Sequence, residues 1–312
     1  MTRVAVVDLG TNSTRLLVAD VEDGIVREVN RRLEITRLGE DVDARRLLLP
    51  SAIARVRNVL ADYRRAVEEL GAERTLVFAT SAVRDAENGE AFLGEIEWSY
   101  GFATRLFSGH EEALATFRGV GAGGALPEST LVIDVGGGST ELILGGPGGV
   151  EYHDSFDLGC VRLSERFPSA PDAAADHVRS LLAERVPASV SPRHAVGVAG
   201  TVTQLATLEL GLDEEDPEIV HGHRLGAEWI AAEIDRLAAM PVEEIRRLRG
   251  MHPDRASVIV AGAIVVRETL ARFALDELEV SERDIMHGAA LAAVELEPAP
   301  EGDAPPSAHT CC

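Results

Sequence analysis

The chain contains no lysine: all 30 of its basic residues are arginine. That excludes the nucleotide-binding P-loop, whose lysine must reach the β- and γ-phosphates. It also excludes Schiff-base chemistry and a lysine general base. Cysteine is scarce, limited to Cys160, Cys311 and Cys312. No CxxC pair or Cys/His zinc spacing occurs, so neither a metal knuckle nor a disulfide framework is implied. No apolar run reaches the ~20 residues that span a bilayer. Met1 to Asp8 lacks the charged-then-apolar order of a secretion signal. The cytoplasm is the expected location, and a membrane is not an expected partner. Positive charge is short as well: 52 acidic against 30 basic residues leave a formal charge of −22. Such a surface repels nucleic acid and anionic membranes, so nucleic acid is not an expected partner either. An anionic ligand would need local arginine, backbone N–H groups and a divalent cation.

What is present fits a soluble globular chain of about two domains, with 312 residues of which 46% are hydrophobic. Its main feature is a repeat. Residues 4–18 read VAVVDLGTNSTRLLV and residues 130–144 read TLVIDVGGGSTELIL. Asp8 falls on Asp134, Gly10 on Gly136, Ser13 on Ser139, Thr14 on Thr140 and Leu16 on Leu142. Each copy is an apolar run, an Asp, a turn of small residues and a second apolar run, which is the pattern of a hairpin. Two copies half a chain apart suggest a duplicated domain.

The other elements fit two α/β lobes. In the first half, strands are expected over 25–38, 75–80 and 102–107. Helices are expected over 51–70, 87–100 and 109–120. Ser51 would cap the first helix after Pro50, and Gly71 would stop it. GAGGALP, from Gly121 to Pro127, punctuates the chain before the second copy. In the second half, strands are expected over 150–157 and 195–199. Helices are expected over 172–186, 203–211, 226–239, 242–249, 254–273 and 281–296. The Pro/Ala-rich tail from Pro298 reads as disordered. Strands alternating with helices argue an α/β fold with mixed sheets.

A turn of Gly, Ser and Thr after a strand offers backbone N–H groups and hydroxyls that can hold phosphate oxygens. Gly136, Gly137 and Gly138 let a phosphate approach the main chain, and Ser139 and Thr140 add hydroxyls. Thr11, Asn12, Ser13 and Thr14 offer the same from the first copy. Two such loops facing each other would clamp a phosphoryl group. Asp8 and Asp134 end strands, where a carboxylate can hold Mg²⁺, and Glu141 follows the second turn. A solvated turn carboxylate is the plain alternative for each. Arg84, in ATSAVRDAEN, could fork onto phosphate or pair with Asp85 or Glu87. Glu111 and Glu112, in SGHEEA, could complement a helix dipole, or one could act as general base for water.

VDLGTNSTRLL, FATSAVRDAEN, FSGHEEA, VIDVGGGSTEL, DLGCVRLSERF and GVAGTVTQLA occur in this order. Together they resemble the exopolyphosphatase / guanosine pentaphosphate phosphohydrolase (Ppx/GppA) family of the actin-like ATPase superfamily, over about residues 1–296. The resemblance implies two ribonuclease-H-like lobes with mixed sheets and an active site in the cleft between them. The expected division is lobe I at 1–122, joined by the C-terminal helix 281–296, lobe II at 123–280, and a tail at 297–312.

The resemblance also implies residue roles. Glu112 would activate the attacking water. Asp134 and Glu141 would act on the metal or the nucleophilic water, and Asp8 would support the metal. Gly136 to Thr140 would bind the terminal phosphate, with Thr11, Asn12 and Ser13 from the first lobe. Arg84 would contact phosphate. Gly197 to Thr201 match a glycine motif that approaches the nucleoside in ATP-binding relatives. The expected cofactor is Mg²⁺ or Mn²⁺. Such hydrolysis needs positioning and charge neutralisation more than covalent catalysis, and needs no lysine.

The chain resembles the short, two-domain form of the family, which suits short or intermediate polyphosphate. The expected activity is release of orthophosphate from inorganic polyphosphate. Guanosine pentaphosphate is the alternative substrate, at the same site. An actin-like kinase fits less well, for want of a sugar- or acyl-binding signature. A non-catalytic alarmone sensor is the remaining reading. Lobe closure around the phosphate is expected, and a homodimer is a family expectation. His221 and His223 have a possible metal-pair spacing but no evident third ligand, so loop or surface roles are preferred. Cys160 is expected to pack.

Overall fold

The computed structural model describes residues 1–296. The chain forms two compact units, Met1–Ser108 with the segment from Ala289 onward, and Gly109–Gly288. The tail expected at 297–312 lies outside the described residues.

In the first unit, strands β1 (Thr2–Leu9), β2 (Ser13–Glu22) and β3 (Ile25–Ile35) run as an antiparallel meander. Asp23 and Gly24 join β2 to β3, both at positive φ. Asp-Gly supplies that left-handed pair most readily, and its twist matches the strands. β4 (Arg74–Ala79) lies parallel to β1, and β5 (Ala103–Leu106) parallel to β4. The order is β3-β2-β1-β4-β5. β1 is buried from Val4 to Leu9, as its unbroken apolar run requires. β3 forms one edge and carries Arg27, Glu28, Arg31, Arg32 and Glu34.

Helix Pro50–Glu69 presents Ala52, Val56, Leu60, Tyr63 and Val67 to the core at helical spacing. Pro50 takes its first turn and Leu49 the cap position, so Ser51 is inside the helix and does not cap it. The preset φ of proline suits the first helical residue, where its missing N–H is no loss. The Tyr63 hydroxyl donates to the Thr14 carbonyl at 2.9 Å, tying helix to hairpin. Residues 289–296 return to this unit, where the Arg74 guanidinium donates to the Val294 carbonyl.

The second unit repeats the plan. β6 (Thr130–Val135), β7 (Thr140–Gly146) and β8 (Gly149–Phe156) form the meander. β9 (His194–Val198) is parallel to β6, and β11 (Glu277–Val280) is parallel to β9. The three-residue β10 (Arg224–Gly226) closes the edge, and the order is β10-β11-β9-β6-β7-β8. Leu131, Ile133, Leu142 and Leu144 face one layer with helices Pro171–Arg185 and Ile259–Phe273. Val132, Ile143 and Val196 face the other, with Ala113 and Val120 of helix Gly109–Gly121.

The division departs from the expected one at both crossings. Helix Gly109–Gly121 belongs to the second unit, because its apolar face packs on β7 and β8. The boundary expected at 122 therefore falls between Ser108 and Gly109, and the one expected at 280 falls after Gly288. The last helix runs over Ile285–Ala293 and is preceded by β11. Glycines set its crossing with helix Gly109–Gly121. A Cβ on Gly119 would fall 1.8 Å from the Asp284 carbonyl oxygen, and one on Gly288 would fall 1.8 Å from that of Ala115.

Candidate active site

The two repeat turns are built alike. Gly10 N–H donates to the Ser13 carbonyl and Gly136 N–H to the Ser139 carbonyl, each at 3.0 Å. A Cβ would stand 2.9 Å from the acceptor at Gly10 and 3.1 Å from it at Gly136, so glycine keeps both turns tight.

Each turn is held by its carbonyls. In the first, Asn12 O accepts from the N–H groups of Thr36 and Arg37, and Thr11 O from that of Gly39. In the second, Gly136 O accepts from Cys160 N–H, and Gly137 O from Val161 and Arg162 N–H. Arg162 Nε donates to Gly138 O at 2.8 Å. Helix Cys160–Arg166 thus spends its N-terminus on the glycine turn. Gly159 lies so close that a Cβ there would stand 2.2 Å from the Gly137 carbonyl carbon. With the carbonyls committed, the amide edge is the part of each turn suited to an anion. The Thr140 hydroxyl donates to the Leu158 carbonyl, so Thr140 braces the turn and offers no hydroxyl donor to a phosphate. Ser139 is buried and hydrogen-bonds Glu141.

Asp134 and Glu141 stand directly opposite each other across β6 and β7. By the two-residue alternation of strands they share the face of Val132 and Ile143, on which helix Gly109–Gly121 lies. That helix turns Glu112 and Thr116 inward, one turn apart. Thr116 Oγ1 donates to Asp134 Oδ2 at 3.0 Å. Ser155, opposite Glu141 on β8, donates its hydroxyl to Glu141 Oε1 at 2.8 Å.

Glu112, Asp134 and Glu141 are all nine-tenths or more buried. Burial pushes the Glu141 carboxyl well above the usual carboxylate range, and the nearby negative charges of Glu112 and Asp134 push it further. The bonds from Ser155 and Ser139 act the other way without prevailing. Glu112 is therefore more than a dipole-complementing surface acid. Among the described residues no three His, Cys, Asp or Glu side chains converge as a ready metal-ligand set.

The remaining expected residues fall as follows. Asp8 Oδ2 accepts from Arg15 Nη2 at 2.7 Å and Nε at 3.0 Å, so in its own unit Asp8 is an ion-pair partner. Thr11 is buried, and Asn12 and Ser13 are half-buried. Arg84 lies on the short helix Ser81–Asp85, not in a loop, and donates through Nη1 to the Phe107 carbonyl at 2.8 Å. Residues 197–201 run from β9 into helix Ala199–Glu209, with Ala199 at φ 68°. The buried Arg255 packs on Gly200 and donates to its carbonyl at 2.5 Å.

His221 and His223 do not act as a pair. Nδ1 of His221 accepts from Glu282 N–H, while Nε2 of His223 meets Glu209 Oε2 at 2.6 Å. Cys160 is buried, as expected, and burial pushes its thiol up to about 11.

Sequence reading missed Ser155, Thr116 and Arg162. Ser155 had a usable signal: once β7 and β8 pair, an alternating strand places it opposite Glu141.

Two mixed sheets that share the order of a meander followed by parallel strands, with β10 added to the second, and that each carry a small-residue turn after an Asp, define a duplicated α/β protein. Residues 17–297 match the Ppx/GppA phosphatase family, to which this chain belongs. It is 40% identical to exopolyphosphatase 2 of Mycobacterium tuberculosis over 315 residues, covering 93% of this chain and 98% of the relative. It is 29% identical to a guanosine-5'-triphosphate,3'-diphosphate pyrophosphatase of Aeromonas salmonicida, covering 85% of this chain and 55% of that one. Among solved structures, an exopolyphosphatase-like protein matches with a TM-score of 0.85 and 34% identity, over 93% of this chain and 98% of that one. The Aquifex aeolicus member of the family matches with a TM-score of 0.77 and 31% identity, over 94% and 97%.

Proposed function

We propose that this protein hydrolyses the terminal phosphoanhydride of inorganic polyphosphate and releases orthophosphate. The buried carboxylate trio of Glu112, Asp134 and Glu141 beside the glycine turn carries the reading. Three carboxylates do not gather out of water without compensation. Glu112, inside the trio, is the general base that takes a proton from the attacking water. Glu141 stands beside it, its position fixed by Ser155 and Ser139.

A hard divalent cation, Mg²⁺ or Mn²⁺, fits a pair of these carboxylates without a third protein ligand, because it takes one or two carboxylates with phosphate oxygens and waters, and the crowded negative charge favours it. Asp134 and Glu141 would hold it, and when bound it supplies charge neutralisation to phosphate oxygens. Asp8 contributes through its ion pair with Arg15. The amide edges of Gly137 and Gly138 bind phosphate oxygens, supported by Ser139, while Gly136 N–H holds the turn through the Ser139 carbonyl and Gly136 leaves room for the phosphate to approach. In the first unit the turn of Thr11, Asn12 and Ser13 binds phosphate in the same way. Arg84 adds a guanidinium, held at one nitrogen by Phe107.

Guanosine pentaphosphate hydrolysis is the second reading, and the Aeromonas relative speaks for it. The near-complete span of the mycobacterial relative, against 55% of the Aeromonas one, favours polyphosphate. The deciding experiment measures orthophosphate release with Mg²⁺ from short polyphosphate, long polyphosphate, guanosine pentaphosphate and ATP in parallel. Wild type should release phosphate from polyphosphate, and Glu112→Gln should lower kcat by about 10²–10⁴. Release from guanosine pentaphosphate alone would establish the second reading. No release by folded protein that binds a substrate would point to a sensor.

A further inference from the structure

Two histidines meet outside the carboxylate trio. His110, in the first turn of helix Gly109–Gly121, sets its Nδ1 2.7 Å from Nε2 of His153 on β8. The ring centroids are 4.5 Å apart and the planes tilt by 45°. At this distance the two nitrogens share one proton. Two ring nitrogens on one tetrahedral cation, each at about 2.0–2.1 Å, stand about 3.3 Å apart. Moving the shared proton to the other nitrogen of its own ring and opening the pair by about 0.6 Å would therefore admit a metal ion.

The pair sits on a firm seam. His153 lies two residues before Ser155, on the same face of β8. A Cβ on Gly109 would stand 2.6 Å from that of Ser155, so helix and strand are in close contact there. His110 itself is exposed and reachable.

We infer that His110 and His153 form a second, two-ligand cation site whose remaining positions are filled by water, one for a borderline divalent ion such as zinc, nickel or copper; unlike His221 and His223, their nitrogens already face each other. Imidazole nitrogen favours that class, whereas carboxylate oxygen favours magnesium or manganese. The site does not depend on the polyphosphate reading. Binding would shift the shared proton to the outer nitrogen of its ring and clamp the start of helix Gly109–Gly121 to β8. Glu112 lies on that helix one residue past Glu111, and Ser155 holds Glu141, so both carboxylates would be stiffened by an ion that does not touch them.

The test uses the full chain with His309→Ala, Cys311→Ser and Cys312→Ser as background, which removes competing tail donors. Zinc is titrated calorimetrically in excess Mg²⁺, and the histidine Cε1–H resonances are followed by NMR. One equivalent of zinc should bind and shift two histidine signals. His110→Ala and His153→Gln should each weaken binding by about tenfold or more and erase the same two shifts. No zinc binding in the background protein would overturn the site and leave a hydrogen-bonded pair only. Binding unchanged in His110→Ala would overturn it too, and since that residue is exposed, the variant stays informative if His153→Gln misfolds.

Discussion

Glu141 is costly to ionise where it stands, and that cost is open to measurement. Its carboxyl is raised by burial and by Glu112 and Asp134. A carboxyl raised in the folded state adds stability below its unfolded value and loses it as pH climbs through the folded one. In EDTA, wild type should thus lose stability on rising pH, and Glu141→Gln should lose less. The glutamine still accepts the Ser155 hydroxyl, so the gap in Tm should open with pH and close in acid. A gap that does not vary with pH would mean that packing sets it and charge does not. Cys160 gives a second residue-scale expectation. With its thiol at about 11 and buried, it should react with a thiol reagent at pH 8 at least about a hundredfold more slowly than an exposed cysteine. Cys311→Ser and Cys312→Ser isolate that signal, and denaturant should restore fast labelling.

At the scale of elements, glycine decides how two helices cross. Gly119→Ala and Gly288→Ala each drive a methyl into a backbone carbonyl and should cost about 1–3 kcal/mol or more by denaturant unfolding. Gly94→Ala, on an exposed helical position with nothing within 4 Å, should gain about 0.5–1 kcal/mol. A loss at Gly94 matching that at Gly119 would show that close approach to a backbone carbonyl is not what sets the cost at Gly119. The same scale shows what the sequence makes legible. The two Asp–turn–strand copies carry local instructions, and both turns fold with one hydrogen-bond pattern. Helix Pro50–Glu69 is legible from its stripe. β11 has an alternating Glu-Leu-Glu-Val too short to outweigh a helix beginning at 281. Helix Ala199–Glu209 was expected only from 203, because Gly200 reads as loop until Arg255 is seen to need the space. The meeting of Glu112 with Glu141 depends on which sheet helix Gly109–Gly121 covers. That follows from tertiary packing alone, which is why the expected boundary fell on the wrong side of it.

At the scale of the molecule, a net charge of −22 acts on any polyanion before it arrives. Like charge lowers the encounter rate, and salt screens it over a Debye length that shrinks from about 30 Å at 0.01 M to about 10 Å at 0.1 M. At fixed free Mg²⁺, raising salt across that range should increase kcat/KM for polyphosphate by about two- to tenfold. A steady fall would mean that the arginines and amides of the site dominate the approach. The discontinuity of the first unit bears on a different process. Its sheet is complete by Leu106, yet Arg74 waits for the carbonyl of Val294. A ribosome must make all of Gly109–Gly288 in between, which takes roughly ten to forty seconds at ~5–20 residues per second. The portion of the protein synthesised first is therefore among the last to be finished. During that interval its unclosed side is available to chaperones or proteases.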